Sequence, residues 1–179
     1  MNRINQMEDT EMVKIIMHGC NGAMGQVITK LAAEDKDAEI TAGIDREDNR
    51  ENPYPVFTSC DACDVVADVI VDFSVAQAVD GVLAYALKRK MPLVLCTTGL
   101  SEKQLEDVKT ASAQIPILRS ANMSLGINLM LKLLKEAAGV LAPPGFDIEI
   151  VEKHHNLKLD APSGTALALA DSINEEFDN

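Results

Sequence analysis

Short apolar runs alternate with amphipathic segments as far as residue 120. The predicted strands are 12–18, 38–45, 67–74, 92–99 and 115–120. Helical spacing follows over 26–35 and 75–90, and Ser101 opens a Ser-x-x-Gln capping box with Gln104, which predicts a third helix. This regular alternation of strand and helix predicts an α/β fold with a doubly wound parallel sheet of the Rossmann type.

The pattern changes after residue 122. Residues 124–141 are apolar nearly all round, which predicts a buried helix. Residues 146–154 alternate apolar and acidic side chains, which predicts a half-exposed strand in a different sheet. A last helix is expected from Ser163 onward. The change of pattern therefore predicts a second domain of α+β type that starts at residue 123.

The composition suits a helix-covered sheet and excludes some classes of binding partner. Hydrophobic residues make up 47% of the chain and aromatic residues only 3%, so Val, Ile, Leu and Ala supply the core, as suits a sheet covered by helices. The net charge of −12 argues against a nucleic-acid or anionic-membrane partner. The chain has no run long enough to span a bilayer and no signal-peptide pattern in its first residues, so we expect a cytoplasmic protein without a membrane partner.

Cys60 and Cys63 form a Cys-x-x-Cys pair, which is typical of redox centres and of half a zinc site. The sequence has no second pair to complete a zinc set, and the motif follows a loop-like stretch. We therefore predict no metal site and four reduced thiols, and the role of this pair stays open.

A glycine-rich turn separates the first predicted strand from the first helix. Gly19, Gly22 and Gly25 have the spacing G-x-x-G-x-x-G, a variant of the dinucleotide fingerprint. Glycines let the backbone turn tightly and approach a pyrophosphate at the helix N-terminus. The pattern indicates a nucleotide site; the alternative is a tight turn without a ligand.

Two charged residues end the second predicted strand. Asp45 lies 20 residues after Gly25, where an acidic side chain bonds the ribose hydroxyls of a dinucleotide. Arg46 is suited to the 2′-phosphate of NADPH, or is a solvated surface charge. Together they favour NADH or NADPH as the cofactor. The later strand ends, 96–99 and 119–124, offer amides and small polar side chains to a nicotinamide, or are ordinary turns.

The stretch HHNLKLDAPSGTA, residues 154–166, brings together proton donors, a cation and a helix start. Histidine as a residue type can give or take a proton near neutral pH, and Lys158 can anchor an anion. The Ser-Gly-Thr sequence at 163–165 offers N–H groups at a positive helix end. The stretch predicts a pocket for a small anionic substrate that is reduced by a dinucleotide. The alternatives are a surface histidine pair and a plain N-cap; a metal site is disfavoured because adjacent histidines rarely face one ion.

Five motifs resemble those of the 4-hydroxy-tetrahydrodipicolinate reductase (dihydrodipicolinate reductase) family. GCNGAMG, VDFS, CTTG, SANMSLGINL and EKHHNLKLDAPSGTA come in that family's order between residues 12 and 173. The last motif is highly specific, whereas the glycine turn alone is not. The resemblance implies an NAD(P)H-dependent reductase of a cyclic dicarboxylate in lysine and diaminopimelate biosynthesis.

The resemblance also implies residue roles. His154 would be the proton donor, Lys158 the second catalytic cation and His155 a substrate contact, while Gly164 and Thr165 would bind a substrate carboxylate. The cofactor would be lined by Gly19, Cys20, Asn21, Gly22, Ala23, Met24, Asp45, Arg46, Cys96, Thr97, Thr98, Ser120, Ala121, Asn122 and Met123. Cys96 replaces a frequent Gly of the family and Met123 a frequent Phe, which affects packing around the nicotinamide.

The expected domains are a dinucleotide-binding Rossmann domain over 1–122 and the N-terminal part of a substrate-binding and tetramerisation domain over 123–179. Members of the family continue for several tens of residues beyond Asn179, so we expect a fragment or a truncated form. The resemblance implies a homo-oligomer, a tetramer. The rival hypotheses are a truncated nucleotide-binding protein without turnover and a reductase of another small carboxylate.

Overall fold

The computed structural model describes residues 12–120, 122–156, 158 and 161–177. These residues form two compact units that divide between Arg119 and Ser120. The first unit contains a parallel sheet with helices, and the second contains two helices and their connections.

Short strands build the sheet of the first unit. They are β1 (Val13–His18), β2 (Ala38–Ile44), β3 (Val56–Phe57), β4 (Val69–Asp72), β5 (Leu93–Leu95) and β6 (Ile117–Arg119). All pairs are parallel, in the order β3-β2-β1-β4-β5-β6. This confirms the predicted doubly wound sheet and places its switch point between β1 and β4, where ligands bind in such folds.

The short strand β3 was missed by the sequence pattern. It spans only two residues, within the loop-like stretch that precedes Cys60. Val56 pairs with Gly43 and Phe57 with Ile44, so β2 provides the ladder that makes this segment a strand. A strand this short has no periodicity of its own to detect.

The helices begin close to their expected positions. They are α1 (Ala23–Glu34), α2 (Val79–Arg89), α3 (Glu102–Ala111), α4 (Leu125–Leu141) and α5 (Gly164–Asn174), with 3₁₀ turns at Cys60–Ala62 and Ala76–Ala78. The capping box before α3 is confirmed: Gln104 N donates to Ser101 Oγ at 3.3 Å, and Ser101 N donates to Gln104 Oε1 at 3.0 Å. No helix in the described ranges combines the length and apolar character that crossing a bilayer requires.

Both faces of the sheet are covered, which explains why its strands are apolar almost throughout. Ile16 is fully buried in a cluster with side chains of α2 and α3. The next residue, Met17, is fully buried on the other face beside Cys20 and Tyr54, against Ile28 of α1. Alternate side chains of β1 thus enter different parts of the core.

The second unit departs from two expectations. Helix α4 forms, but Leu125 is 86% and Leu129 54% exposed, so the prediction of a buried helix is wrong. Residues 146–154 form no strand, so that prediction is also wrong. An apolar helix and an alternating strand both need neighbours to cover them, and among the described residues α4 packs mainly on α5. The α4–α5 contact includes an ion pair of Lys135 with Glu175.

We predict opposite effects of alanine at two helical glycines. An added Cβ at Gly25 would lie 2.3 Å from the carbonyl oxygen of Gly19, so Gly25→Ala must displace backbone and destabilise the first unit by about 1–3 kcal/mol. Gly81 of α2 is exposed with open space at its Cβ position, so Gly81→Ala should stabilise by about 0.5–1 kcal/mol. Urea unfolding measures both; equal effects of the two substitutions would contradict the close packing of the turn.

Candidate functional site

The turn between β1 and α1 packs its backbone closely against the residue that follows β4. Gly19 has φ +82°, and a Cβ there would lie 2.6 Å from the carbonyl oxygen of Phe73. Gly22 N donates to the Gly19 carbonyl at 3.1 Å, and α1 begins at the next residue, Ala23. Gly22 supplies no side-chain cap, so the first N–H groups of α1 are available to an anion.

Asp45 fixes the end of β2 to this turn. Its Oδ2 accepts from Asn21 N and its Oδ1 from Arg46 N, both at 2.8 Å. Asn21 is held further by its own side chain, whose Nδ2 donates to the Glu47 carbonyl at 2.6 Å and whose Oδ1 accepts from Asn52 Nδ2 at 2.8 Å. The sequence predicted a ribose ligand at Asp45; the structure adds a role in shaping the turn. Each carboxylate oxygen has a second lone pair for a ligand.

A cavity of about 590 Å³ opens beside this turn. Of the predicted cofactor residues, it is lined by Gly19, Asn21, Gly22, Asp45 and Arg46. Sequence reasoning missed several further lining residues, among them His18, Glu47, Arg50, Ser59, Cys60 and Ser74. The cavity has the size of a small-molecule site, and its walls come from the carboxyl ends of parallel strands, as expected for this fold.

The other predicted cofactor residues of the first unit do not line this cavity. The Cys20 side chain packs with Met17 and Tyr54, and burial together with the nearby Asp45 raises its pKa to about 11. Burial and the charge of Asp72 likewise raise the pKa of the Cys96 thiol to about 11. Ala23, Met24 and Thr98 are exposed.

A buried polar network lies under the cavity at the ends of β1, β4 and β5. His18 Nδ1 lies 2.6 Å from Asp72 Oδ1, and Thr97 Oγ1 donates to Asp72 Oδ2 at 2.6 Å. Ser74 N donates to Asp72 Oδ1 at 3.3 Å. Asp72 is fully buried. Burial raises the pKa of its carboxyl, but the hydrogen bonds from His18, Ser74 and Thr97 outweigh burial and lower the pKa below its ordinary value.

The sequence contained a pattern that points to this network. His18 and Asp72 are each the last residue of a strand, and the two are direct neighbours in the parallel ladder. Polar residues at the carboxyl ends of adjacent parallel strands meet at one edge of the sheet. Thr97 was predicted as a cofactor residue, and the structure shows that it is buried and donates to Asp72.

The Cys60–Cys63 pair brackets a 3₁₀ turn whose first residue lines the cavity. Burial, followed by the charges of Cys63, Asp61 and Asp72, raises the pKa of the Cys60 thiol to about 11, which disfavours a reactive thiolate. Cys63 is buried. Among the described residues no group of three or more His, Cys, Asp or Glu side chains is placed to hold a metal ion.

In the second unit, Glu152 joins the predicted proton donor to a helix start. Its Oε2 lies 2.7 Å from His154 Nε2, and its Oε1 accepts from Ser163 N at 2.9 Å. These bonds, that to Ser163 first, lower the pKa of Glu152 to about 2. Ser163 caps α5, since its Oγ accepts from Ala166 N at 3.1 Å. Glu152 was not selected from the sequence, although it stands in the same EKHH motif.

The start of α5 also meets a predicted cofactor residue. Asn122 Nδ2 donates to Thr165 Oγ1 at 3.2 Å, which leaves the Thr165 hydroxyl proton for another acceptor. Gly164 and Thr165 belong to the first turn of α5, where N–H groups have no intrahelical acceptor.

Four other predicted site residues belong to this part of the chain. Lys158 N donates to the His155 carbonyl at 3.2 Å, so these two predicted site residues lie in one tight turn. Met123 is exposed. The predicted cofactor residue Ala121 lies outside the described residues.

These features define the class of the first unit: a Rossmann-type nucleotide-binding domain, with its glycine turn at the switch point and an acidic residue at the end of β2. The family model described as "Dihydrodipicolinate reductase, N-terminus" matches residues 13–123, and "Dihydrodipicolinate reductase, C-terminus" matches residues 126–179. The chain belongs to the dihydrodipicolinate reductase family. A pyridine nucleotide is the class of cofactor that this family and fold imply.

Curated relatives support the assignment over nearly the whole chain. The 4-hydroxy-tetrahydrodipicolinate reductase of Caldanaerobacter subterraneus subsp. tengcongensis is 54% identical over 164 residues, which are 92% of this chain and 64% of that protein. The enzyme of the same name from Clostridium perfringens strain 13 is 49% identical over 170 residues, covering 92% of this chain and 66% of that protein. The chain thus spans a little less than two-thirds of the length of these relatives.

Solved structures show the same fold. A dihydrodipicolinate reductase from Paenisporosarcina sp. TG-14, bound to dipicolinate, matches with a TM-score of 0.76 and 27% identity, over 92% of this chain and 66% of that one. The myo-inositol 2-dehydrogenase of Lactobacillus plantarum matches with a TM-score of 0.58 and 12% identity over 74% of this chain and 43% of that one, a likeness of fold alone.

We predict that the hydrogen bond from Thr97 to Asp72 stabilises the first unit measurably. Thr97→Val keeps the shape of the side chain but removes a donor from a buried carboxylate, so it should destabilise by about 1.5–3 kcal/mol. Thr98→Val at the neighbouring exposed position is the matched control and should change stability by less than about 0.5 kcal/mol. Chemical denaturation of both variants gives the comparison; a Thr97→Val variant as stable as the parent would show that Asp72 does not need this donor.

Proposed function

We propose that this chain carries out the NAD(P)H-dependent reduction of 4-hydroxy-tetrahydrodipicolinate to tetrahydrodipicolinate, with loss of water. The observation that carries the proposal is the succession of both family segments along one chain, each with its own chemistry. The first segment contains the glycine turn and the cavity, and the second contains His154, Lys158 and the start of α5. Relatives with 54% and 49% identity bear the name of this activity.

The residues around the cavity fit a dinucleotide. A Cβ at Gly19 or Gly25 would collide with backbone, so glycine at these positions allows the tight turn that lets a pyrophosphate approach the start of α1. Asp45, Arg46 and Arg50 all line this cavity, which supports a role for Asp45 toward ribose hydroxyls and for the two arginines toward a 2′-phosphate. We therefore propose that both NADH and NADPH bind. The bound reduced nucleotide supplies hydride for an unsaturated ring carbon conjugated to the ring nitrogen.

The second unit supplies the proton and the anchor for the substrate. His154 donates a proton to the carbon next to the one that receives hydride, so the ring gains two hydrogens after the 4-hydroxyl leaves as water. Glu152 accepts a hydrogen bond from the same imidazole and so orients the ring. Lys158 and the first-turn N–H groups of Gly164 and Thr165 bind a carboxylate, which gives this acidic chain a local positive site.

The direct test is consumption of NADH absorbance on addition of 4-hydroxy-tetrahydrodipicolinate, with tetrahydrodipicolinate identified as product. His154→Gln should lower kcat by about a hundred- to ten-thousand-fold, the usual contribution of a positioned acid. The Kd of NADH should not change, because His154 is absent from the cavity lining.

The neighbouring substitution Lys153→Gln changes an exposed side chain of the same motif and should leave kcat near its parent value. Retained turnover in His154→Gln would show that His154 is not the proton donor. If the parent bound NADH but did not turn over this substrate, the rival hypothesis of a nucleotide-binding protein would be favoured. If it reduced a different small carboxylate instead, that compound would be the substrate.

Cofactor selectivity gives an independent prediction. Arg46→Ala should raise the Kd of NADPH by about tenfold or more and that of NADH much less, since only NADPH carries the 2′-phosphate that a guanidinium binds. Lys30→Ala removes an exposed cation of α1 outside the cavity lining and serves as the control. Fluorescence titration with NADH and with NADPH measures the six affinities of the parent and the two variants. Equal losses for NADH and NADPH in Arg46→Ala would exclude Arg46 from 2′-phosphate recognition.

A further inference from the structure

His18 joins a buried carboxylate to the residues around the cavity. Its Nδ1 lies 2.6 Å from Asp72 Oδ1, and His18 is one of the residues that line the cavity. Among the described residues, Asp72 is the hydrogen-bond partner of this ring. Every fully buried side-chain nitrogen and oxygen of the described residues has a hydrogen-bond partner, so the remaining ring nitrogen, Nε2, is not fully buried.

The network around Asp72 determines what Nε2 offers. Thr97 and Ser74 already donate to the Asp72 carboxylate, which as an ionised group only accepts hydrogen bonds. Nδ1 of His18 must therefore carry a proton. Nε2 is then a lone-pair acceptor when the ring is neutral and an N–H donor when the ring is protonated.

The ligand that this nitrogen faces is anionic in the proposed function. The glycine turn starts at the residue after His18, and Gly19, Asn21 and Gly22 line the same cavity just before α1 begins at Ala23. A phosphate oxygen has no proton to donate to a neutral Nε2, whereas it accepts well from a protonated one. We infer that His18 is a dinucleotide-contacting residue whose Nε2–H donates to an anionic oxygen of the bound cofactor, so that cofactor binding takes up a proton at His18. This inference rests on the proposed function.

The surrounding groups make this linkage measurable. The charged side chains that share the cavity are Asp45, Arg46, Glu47 and Arg50, and carboxylates and guanidiniums as classes keep their charge from about pH 6 to about pH 9. Asp72, the hydrogen-bond partner of His18, has a pKa below its ordinary value and so stays ionised over this range. The thiols of Cys60 and Cys96 have pKa values raised to about 11, mainly by burial. Histidine is therefore the residue type expected to titrate across this range.

NADH is the suitable probe, because the 2′-phosphate of NADPH itself titrates at about pH 6. Calorimetric titration with NADH in two buffers of different ionisation enthalpy measures the number of protons taken up on binding. The parent protein should take up a substantial fraction of a proton near neutral pH. Its Kd for NADH should rise by about tenfold or more between about pH 6 and about pH 9, because a site that binds the protonated ring loses affinity as the proton is lost.

His18→Gln keeps a hydrogen-bond donor beside Asp72 but does not titrate, so its Kd should not depend on pH over this range. A double variant, His18→Gln with Asp72→Asn, removes the buried carboxylate together with its partner and covers the case in which the single variant folds poorly. The variant His154→Gln with His155→Gln retains His18 and should keep the pH dependence of the parent, which excludes the other two histidines of the chain.

The outcomes separate the inference from the proposed function. NADH binding by the parent without proton uptake would overturn the inference and leave the dinucleotide site in place. An unchanged pH dependence in His18→Gln or in the double variant would also overturn it. A parent that binds neither NADH nor NADPH would contradict the proposed function itself.

Discussion

The buried carboxylate of Asp72 is the constraint around which the site is arranged. A fully buried carboxylate is costly unless donors surround it, and here they come from β1, from the loop after β4 and from the segment after β5. These bonds fix the carboxyl ends of three adjacent strands to one another at the switch point. The residue after Asp72, Phe73, supplies the carbonyl against which Gly19 packs. The position of the glycine turn therefore depends on the same end of β4.

The parts of this arrangement that the sequence predicted are local. Glycines at a strand-to-helix turn, the capping box at Ser101 and the apolar strands each depend on a few neighbouring residues. The parts that it missed depend on distant partners. His18 and Asp72 are 54 positions apart and meet only through parallel pairing, and β3 is a strand only because β2 lies beside it.

The second unit shows the complementary limit of pattern reasoning. The apolar helix α4 and the alternating residues 146–154 indicate a need for neighbours, but a pattern does not say which segment provides them. Among the described residues α5 covers one side of α4, and Leu125 and Leu129 stay exposed. By contrast the capped start of α5 formed as expected, because Ser163 and Ala166 supply both partners of the cap.

Binding of a pyridine dinucleotide at the glycine turn, beside the β1–β4 switch point, is the central claim. Amide hydrogen–deuterium exchange with and without NADH tests it directly. The account predicts slower exchange on NADH addition in the peptides that contain residues 19–26 and 44–47, with little change over α3, which carries no cavity residue. Protection that appears elsewhere and leaves the glycine turn unchanged would contradict it.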